Sequence, residues 1–570
     1  MKKLLIALLL PVLLTPNAAV ASDVPDEQFV ISYDTSGESS LGVVIEDSQK
    51  LKNTYSSLQA FTADGTDFQK SRYTSVETCK SVGAPNCGAE KFFNYFANLG
   101  ECDANLTTDC VQGVSATDAS GRSLKVTSLG AFPKEMPYAF AGNPELNLPA
   151  GGSTFLVDIP EAPHKGGSQY LVVAQMQGNK MFGESKFAMQ NFNLGIFAVS
   201  KVVGNYLPAG PALKISEFTV PLGGISGGPQ ALDLSTGKRA PCAQMTATEC
   251  YVAWPMPLDM KFGVTLKLHT QITGWLHGRT SNTTANISKA TDGDQLVEIS
   301  GNPSVVPTVF TSFVRSQLPK AISDYYAARP DIAYMGYGAG ERDPVTRVNK
   351  WLLKAPTNYT EQELEEVLLW YSALKDTAPY AATEWSVRST STGGDANGCL
   401  RDNSQLNGIV TTNSNYFLSG PPVFNKTEMS LDYKVASPHY LPNGDVFKGI
   451  YNLVIRSQVA RCLYGFSSAP ISASVSVISA DGSTQAATTV LGERNGWLYL
   501  TAAGFTFSSP TVRVLLTQEA PAMPTPDMTT QASPQKPSQK ITITCVKGKI
   551  KKKISSTSPK CPTGYKKVSA

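Results

Sequence analysis

The clearest pattern along the chain is strict alternation of apolar and polar positions. In VTLKLHTQI, Val264, Leu266, Leu268 and Ile272 alternate with Thr265, Lys267, His269 and Gln271. This predicts a strand with one buried and one wet face. STFLVDI, QYLVVAQM and LGIFAVSKVV are further short apolar runs bounded by Gly, Pro or Asn. A second alternating block, GIYNLVIRS, ISASVSVIS, QAATTVL, GWLYLTA and TVRVLLTQ, occupies the region after residue 383. Helical spacing is rarer. In EDSQKLKNTYSSLQAF, Leu51, Tyr55, Leu58 and Phe61 recur at helical intervals and predict a helix over 46–61. TEQELEEVLLWYSALKD is the strongest helix: Thr360 and Glu363 form a capping box, and Leu364, Val367, Leu368, Tyr371 and Leu374 make its apolar stripe.

These patterns divide the chain as follows. Residues 1–21 read as a signal peptide, 22–100 as a mixed α/β segment and 101–304 as a β-sandwich-like domain. A helical insertion follows at 305–382, then a second β-sandwich-like domain at 383–517, a Pro/Ser/Thr-rich linker at 518–540 and a basic module at 541–570. The expected fold class is mainly β: tandem Ig-like sandwiches with a helical insertion and a small disulfide-closed C-terminal hairpin.

Cysteines and charge place this fold in a compartment. Lys2 and Lys3, the apolar residues 4–14 and Ala19-Val20-Ala21 match an export signal cleaved before Ser22. The apolar run is too short to span a bilayer, and no later stretch approaches a membrane helix. Ten cysteines in an exported chain predict disulfides. Cys79 and Cys87, Cys102 and Cys110, and Cys242 and Cys250 each enclose seven residues; Cys399 with Cys462 and Cys545 with Cys561 complete the set. Zinc ribbons need shorter spacings and more histidine than the four present, so neither metal nor cofactor is expected. The whole chain carries +3; the tail contributes +8 and the two leading lysines +2, leaving about −7 for residues 22–540.

Candidate chemistry is sparse. GGISGGP places Ser226 in a G-x-S-x-G match, but PQALDLSTGK does not supply the helix a nucleophile elbow requires. Upstream, His164 lies in the loop-like APHKGG, and Ile225 stands where a chymotrypsin-like loop has Asp. The acids Glu361, Glu363, Glu365 and Glu366 suit the first turns of a helix and solvent. His269 and His277 read as two exposed histidines on one strand. The tryptophans, with Trp275 and Trp497 each following a Gly at a strand start, read as core. No catalytic residue is assigned.

The tail, ITITCVKGKIKKKISSTSPKCPTGYKKVSA, contains eight lysines and no acid. A two-residue turn at Lys547-Gly548 sets Ile541, Ile543, Cys545, Ile550 and Ile554 on one face and Thr542, Thr544, Lys549, Lys551 and Lys553 on the other. A Cys545–Cys561 bridge then clamps the following segment over the apolar face. Lys547, Lys549, Lys551, Lys552, Lys553, Lys560, Lys566 and Lys567 are the candidate polyanion-binding residues.

ITCVKGKIKKKI with PKCPTGYKKV resembles a short C-terminal module at the ends of secreted Actinobacteria proteins. ARCLYGFSSAPISASVSVISADG and GWLYLTAAGFTFSSPTVRVLLTQ resemble a segment of uncharacterised secreted proteins from that group. Together they cover about a quarter of the chain. The resemblance implies export and envelope association and carries no catalytic residues. The expected function is therefore binding or structural, at the cell surface, with an anionic envelope polymer or polysaccharide as partner and no sequence-specific nucleic acid. The rival expectation is a secreted hydrolase of envelope or environmental polymers.

Overall fold

The computed structural model describes the chain except for residues 1–23, 31–36, 46–50, 64, 67–72, 88–91, 209–231, 334, 343–348, 359, 391–397, 402–403, 469, 479–483, 487, 508–510, 519–540 and 569–570. The export signal, Ser226 and nearly all of the linker thus lie outside the described residues. The molecule is mainly β, with several sheets and few helices. By contact it forms two compact units, 1–519 and 520–570. Among the described residues, no helix is long and apolar enough to cross a membrane.

In the larger unit, alternation built strands as expected. Lys261–Leu268 buries Phe262, Val264, Leu266 and Leu268 and leaves Lys261, Thr265 and Lys267 more open. It lies between Cys110–Thr117 and the first half of Gln295–Val314, antiparallel to both. The strand ends at Leu268, so Ile272, although buried, lies beyond it.

Gln295–Val314 is the longest strand, at twenty residues, and it runs through the boundary expected near 305. Its first half pairs with Lys261–Leu268 and Thr280–Lys289. Its middle pairs with Tyr380–Thr390, and its end with Ser40–Ile45. Pro303 is the last residue paired with Thr280–Lys289, where the strand changes partners, and Pro307 lies one pair from the end of the ladder with Tyr380–Thr390. Tyr380–Thr390 in turn pairs with Ala188–Val203 and with Gly274–Gly278, and the latter lies parallel to Leu406–Thr412. One core accordingly gathers Leu58, Tyr95, Val172, Ile299, Trp385, Ile409 and Trp497, from both expected β regions.

The region after 400 stacks two sheets. Val410, Leu453 and Leu500 from one share a core with Leu431, Val475 and Val514 from the other. The region 305–382 mixes helices with strands. Helices Lys320–Ala327 and Glu361–Ala373 pack with Ser40–Ile45 around Ile322, Tyr326, Leu364, Val367 and Trp370. Ser40–Ile45 also runs parallel to Asn349–Lys354, which ties the N-terminal segment into this core.

The helix expected over 46–61 is corrected. Ser57–Ala63 is a strand between Tyr73–Cys79 and Phe92–Asn98; residues 46–50 lie outside the described set. Leu58, Gln59, Ala60 and Phe61 are all buried. A strand covered on both faces shows no alternation, and sheet pairing overrides the helical spacing.

Candidate functional site

The described residues of the smaller unit form a three-stranded antiparallel sheet. Ile541–Lys547 is central, with Ile550–Ser556 on one side and Lys566–Val568 on the other. The turn falls at Gly548-Lys549, one residue later than expected, because the first turn position takes φ 61°, which glycine adopts without strain. Ile543 pairs with Ile554, Cys545 with Lys552 and Lys547 with Ile550. Ile541, Ile543, Cys545, Ile550 and Ile554 therefore do share a face. Ile543 and Cys545 are buried, and the Cys545–Cys561 bridge brings Cys561 to that side, with Cα atoms 5.7 Å apart.

All eight lysines, Lys547, Lys549, Lys551, Lys552, Lys553, Lys560, Lys566 and Lys567, are exposed. They do not keep to one face. Lys551 pairs with Val546, Lys553 with Thr544, and Lys566 also with Val546, so these three share the face opposite Cys545. Lys552 and Lys567 both pair with Cys545, and they share its face with Lys547. Lys549 sits in the turn. Residues 541–570 hold no acid to neutralise them.

The five disulfides join Cys79 to Cys87, Cys102 to Cys110, Cys242 to Cys250, Cys399 to Cys462 and Cys545 to Cys561. No free cysteine remains. Among the described residues no group of His, Cys, Asp and Glu is arranged to hold a metal.

The histidines in the larger unit are committed elsewhere. His164 Nε2 faces the Gln169 carbonyl oxygen at 3.0 Å, while Gly166 N–H donates to Nδ1 at 3.1 Å. A carbonyl only accepts, so Nε2 carries the proton and both ring nitrogens are engaged. Burial lowers the pKa of this ring. The pairing of His269 with His277 on one exposed face is corrected. His269 follows the Lys261–Leu268 strand and lies 3.5 Å from Asp294. His277 is buried in Gly274–Gly278 and stacks on Phe417 with centroids 3.4 Å apart. It is hidden because Phe417 lies flat over its ring on that face of the sheet.

Tryptophans do not form a binding surface. Trp275, Trp370, Trp385 and Trp497 are fully buried and Trp351 nearly so. Half-buried Trp254 donates its indole N–H to Ser200 Oγ at 2.7 Å. Gly274, with φ 75°, starts the strand that carries Trp275, and Gly496, with φ 76°, immediately precedes the strand that begins at Trp497.

Sequence reasoning missed a buried charged cluster. The capping box forms as expected, Glu361 pairs with Lys434, and Arg329 lies 3.6 Å from Glu365. Glu366, however, is not in solvent: it is buried, whereas Leu368 of the expected stripe is exposed. Tyr326 donates its hydroxyl to Glu366 Oε1, Trp370 Nε1 donates to Tyr326 at 3.1 Å, and Lys354 Nζ lies 3.8 Å from the carboxylate. Lys354 also donates to the Ile332 carbonyl at 2.6 Å. Burial raises the Glu366 pKa and lowers that of Lys354, each opposed by the other's charge. The available signal was Glu366 lying four residues before Trp370, beside the buried stripe.

A second buried acid is Glu27. Its Oε1 accepts 2.8 Å bonds from Thr383 N–H and Thr383 Oγ1, and burial raises its pKa. The adjoining cavity, lined by Glu27, Lys52, Trp254, Thr383, Trp385 and Arg388 among others, measures about 20 Å³. That is room for roughly one water and not for a substrate. No family model, curated protein or solved structure matches the chain.

Proposed function

We propose that this is a secreted or cell-surface β-rich protein with a binding or structural role, held near the anionic cell envelope by its basic C-terminal module. The observation that carries the reading is eight exposed lysines on a disulfide-closed sheet of thirty residues that contains no acid. A folded array holds its charges at fixed spacing, and such a concentration of one sign attracts polyanions. The five disulfides are compatible with life outside the cytosol and support export.

Deletion of residues 541–570 followed by cell fractionation tests the reading. Most of the truncated protein is expected to move from the envelope fraction to the medium. Salt at about 1 M, where the Debye length is roughly 3 Å, should release the intact protein in the same way. Unchanged envelope retention after the deletion would sink the tethering role.

A further inference from the structure

The distribution of lysines over the module narrows the class of polyanion, on the premise that the module is a polyanion tether. Lys551, Lys553 and Lys566 occupy one face of the sheet, and Lys547, Lys552 and Lys567 the other. Side chains on the two faces of a sheet point in opposite directions. Their ammonium groups end on the order of 10 Å apart, about a Debye length at 0.1 M salt. A flat charged surface that meets one face therefore attracts the lysines of the other only weakly. Three of the six sheet lysines would contribute little against a bilayer.

The remaining surface points the same way. Exposed aliphatic residues would help a module enter a bilayer if they formed one patch, but they are scattered. Ile541 and Ile550 lie at opposite ends of the central ladder, roughly 20 Å apart at the usual rise per residue. Val568, paired with Thr544, is on the other face. The module's one aromatic residue, Tyr565, is half-buried, so no aromatic anchor is offered to a membrane interface. Within a face, Lys551 and Lys553 stand roughly 7 Å apart along one edge strand, and Lys566 stands roughly 10 Å away across the sheet. Both edges thus carry charge, and a chain passing round either edge meets lysines throughout. All eight cations are lysine and none is arginine, which gives compact point charges without the fork that favours one planar anion.

We infer that the module's ligand is a flexible, linear polyanion bearing carboxylate or phosphate groups, which engages both faces of the sheet at once.

The test uses the full-length exported protein and two triple variants, Lys551→Gln/Lys553→Gln/Lys566→Gln and Lys547→Gln/Lys552→Gln/Lys567→Gln. Probes are polygalacturonate, long-chain polyphosphate and vesicles of equal parts phosphatidylglycerol and phosphatidylcholine. Each triple variant is expected to weaken polymer binding by roughly 10- to 100-fold, and the plot of log affinity against log salt should fall from a slope of about −4 to about −2. Comparable binding of both polymers supports recognition of charge on a chain; preference for one identifies its anionic group. The matching Lys→Arg triples should retain binding, and an intact Cys545–Cys561 bridge by mass spectrometry shows that the Gln variants keep the staple. If one triple abolishes binding and the other has no effect, or if vesicles bind more tightly than both polymers at equal total charge, a flat ligand is favoured and the inference is overturned. If the unaltered protein binds none of the three probes, the tethering reading itself fails.

Discussion

Lys354 in the large unit and the lysines of the small unit show two ways of handling the same side chain. Lys354 is 4 % exposed, with Glu366, Tyr326 and the Ile332 carbonyl around its ammonium group. Its Nζ lies 4.9 Å from the centre of the Tyr326 ring. The module's lysines are all exposed, and residues 541–570 hold no acid. A large core can bury a charge because it supplies a complete set of partners, whereas a sheet of thirty residues with little interior keeps its charges in water. The difference separates cohesion from recognition: the buried lysine depends on its neighbours, and the exposed ones remain available to a ligand.

The largest expected effect comes from removing a partner of the buried lysine. Glu366→Ala leaves the Lys354 ammonium group without its carboxylate and takes the acceptor from Tyr326. The expected loss is about 3–5 kcal/mol, the usual consequence of leaving one member of a buried pair alone. Replacing both members, as Lys354→Met with Glu366→Leu, should recover most of that loss. Urea unfolding followed by the fluorescence of the large unit's tryptophans measures both. In the module, Lys551→Ala or Lys566→Ala should change stability by less than about 0.5 kcal/mol, as surface substitutions do. Equal effects in the two units would dissolve the contrast.

A smaller effect is expected where the module depends on its staple. Cys545→Ser with Cys561→Ser should cost about 2–4 kcal/mol, more than a sheet this small has in reserve. The module should then unfold and be cut rapidly by trypsin at its lysines, while the large unit keeps its four bridges and its urea midpoint. Timed digestion with mass spectrometry reads both. A module that stays resistant without the bridge would be held by packing around Ile543, and the two units would then be stabilised alike.

How much of this was visible beforehand follows from how many faces each element buries. Lys261–Leu268 has one wet face, so its alternation was legible; so was the Thr360–Glu363 cap, which is local. The five pairings were legible because three enclose equal short loops and the other two fall within single regions. Ser57–Ala63 and His277 were misread because the sheet faces that carry them are covered, and coverage erases the period. The boundary set between 304 and 305 fell inside one strand, because Gln295–Val314 passes from one set of partners to the next there without ending. In the module, alternation revealed the apolar face. The same alternation places Lys547 and Lys552 on that face and Lys551 and Lys553 on the other; only the faces of Lys566 and Lys567 depended on how Lys566–Val568 returns beside the central strand, which nothing in the local pattern specifies. Glu366 required knowledge that Lys354 and Tyr326 converge on one flank of its helix.

The smallest effect concerns a buried carboxylate and appears in the pH dependence. Glu27 accepts two bonds from Thr383, yet burial outweighs them and its folded pKa lies above the ordinary 4.5. Between 4.5 and the raised value, the folded state holds a proton that the unfolded state has released. Stability from this site must therefore fall as pH rises through that window, by about 1.4 kcal/mol for each pH unit of displacement. Glu27→Gln has no charge to desolvate and keeps an oxygen that accepts from Thr383, so it should lack this decline. Urea midpoints from pH 4.5 upward should show the unaltered protein losing ground to the variant until the folded pKa is passed, then running parallel to it. Parallel curves throughout would mean that Glu27 ionises as freely as an exposed acid. The large unit would then tolerate a solitary buried charge, and the contrast with the module's exposed lysines would rest on the Lys354–Glu366 pair alone.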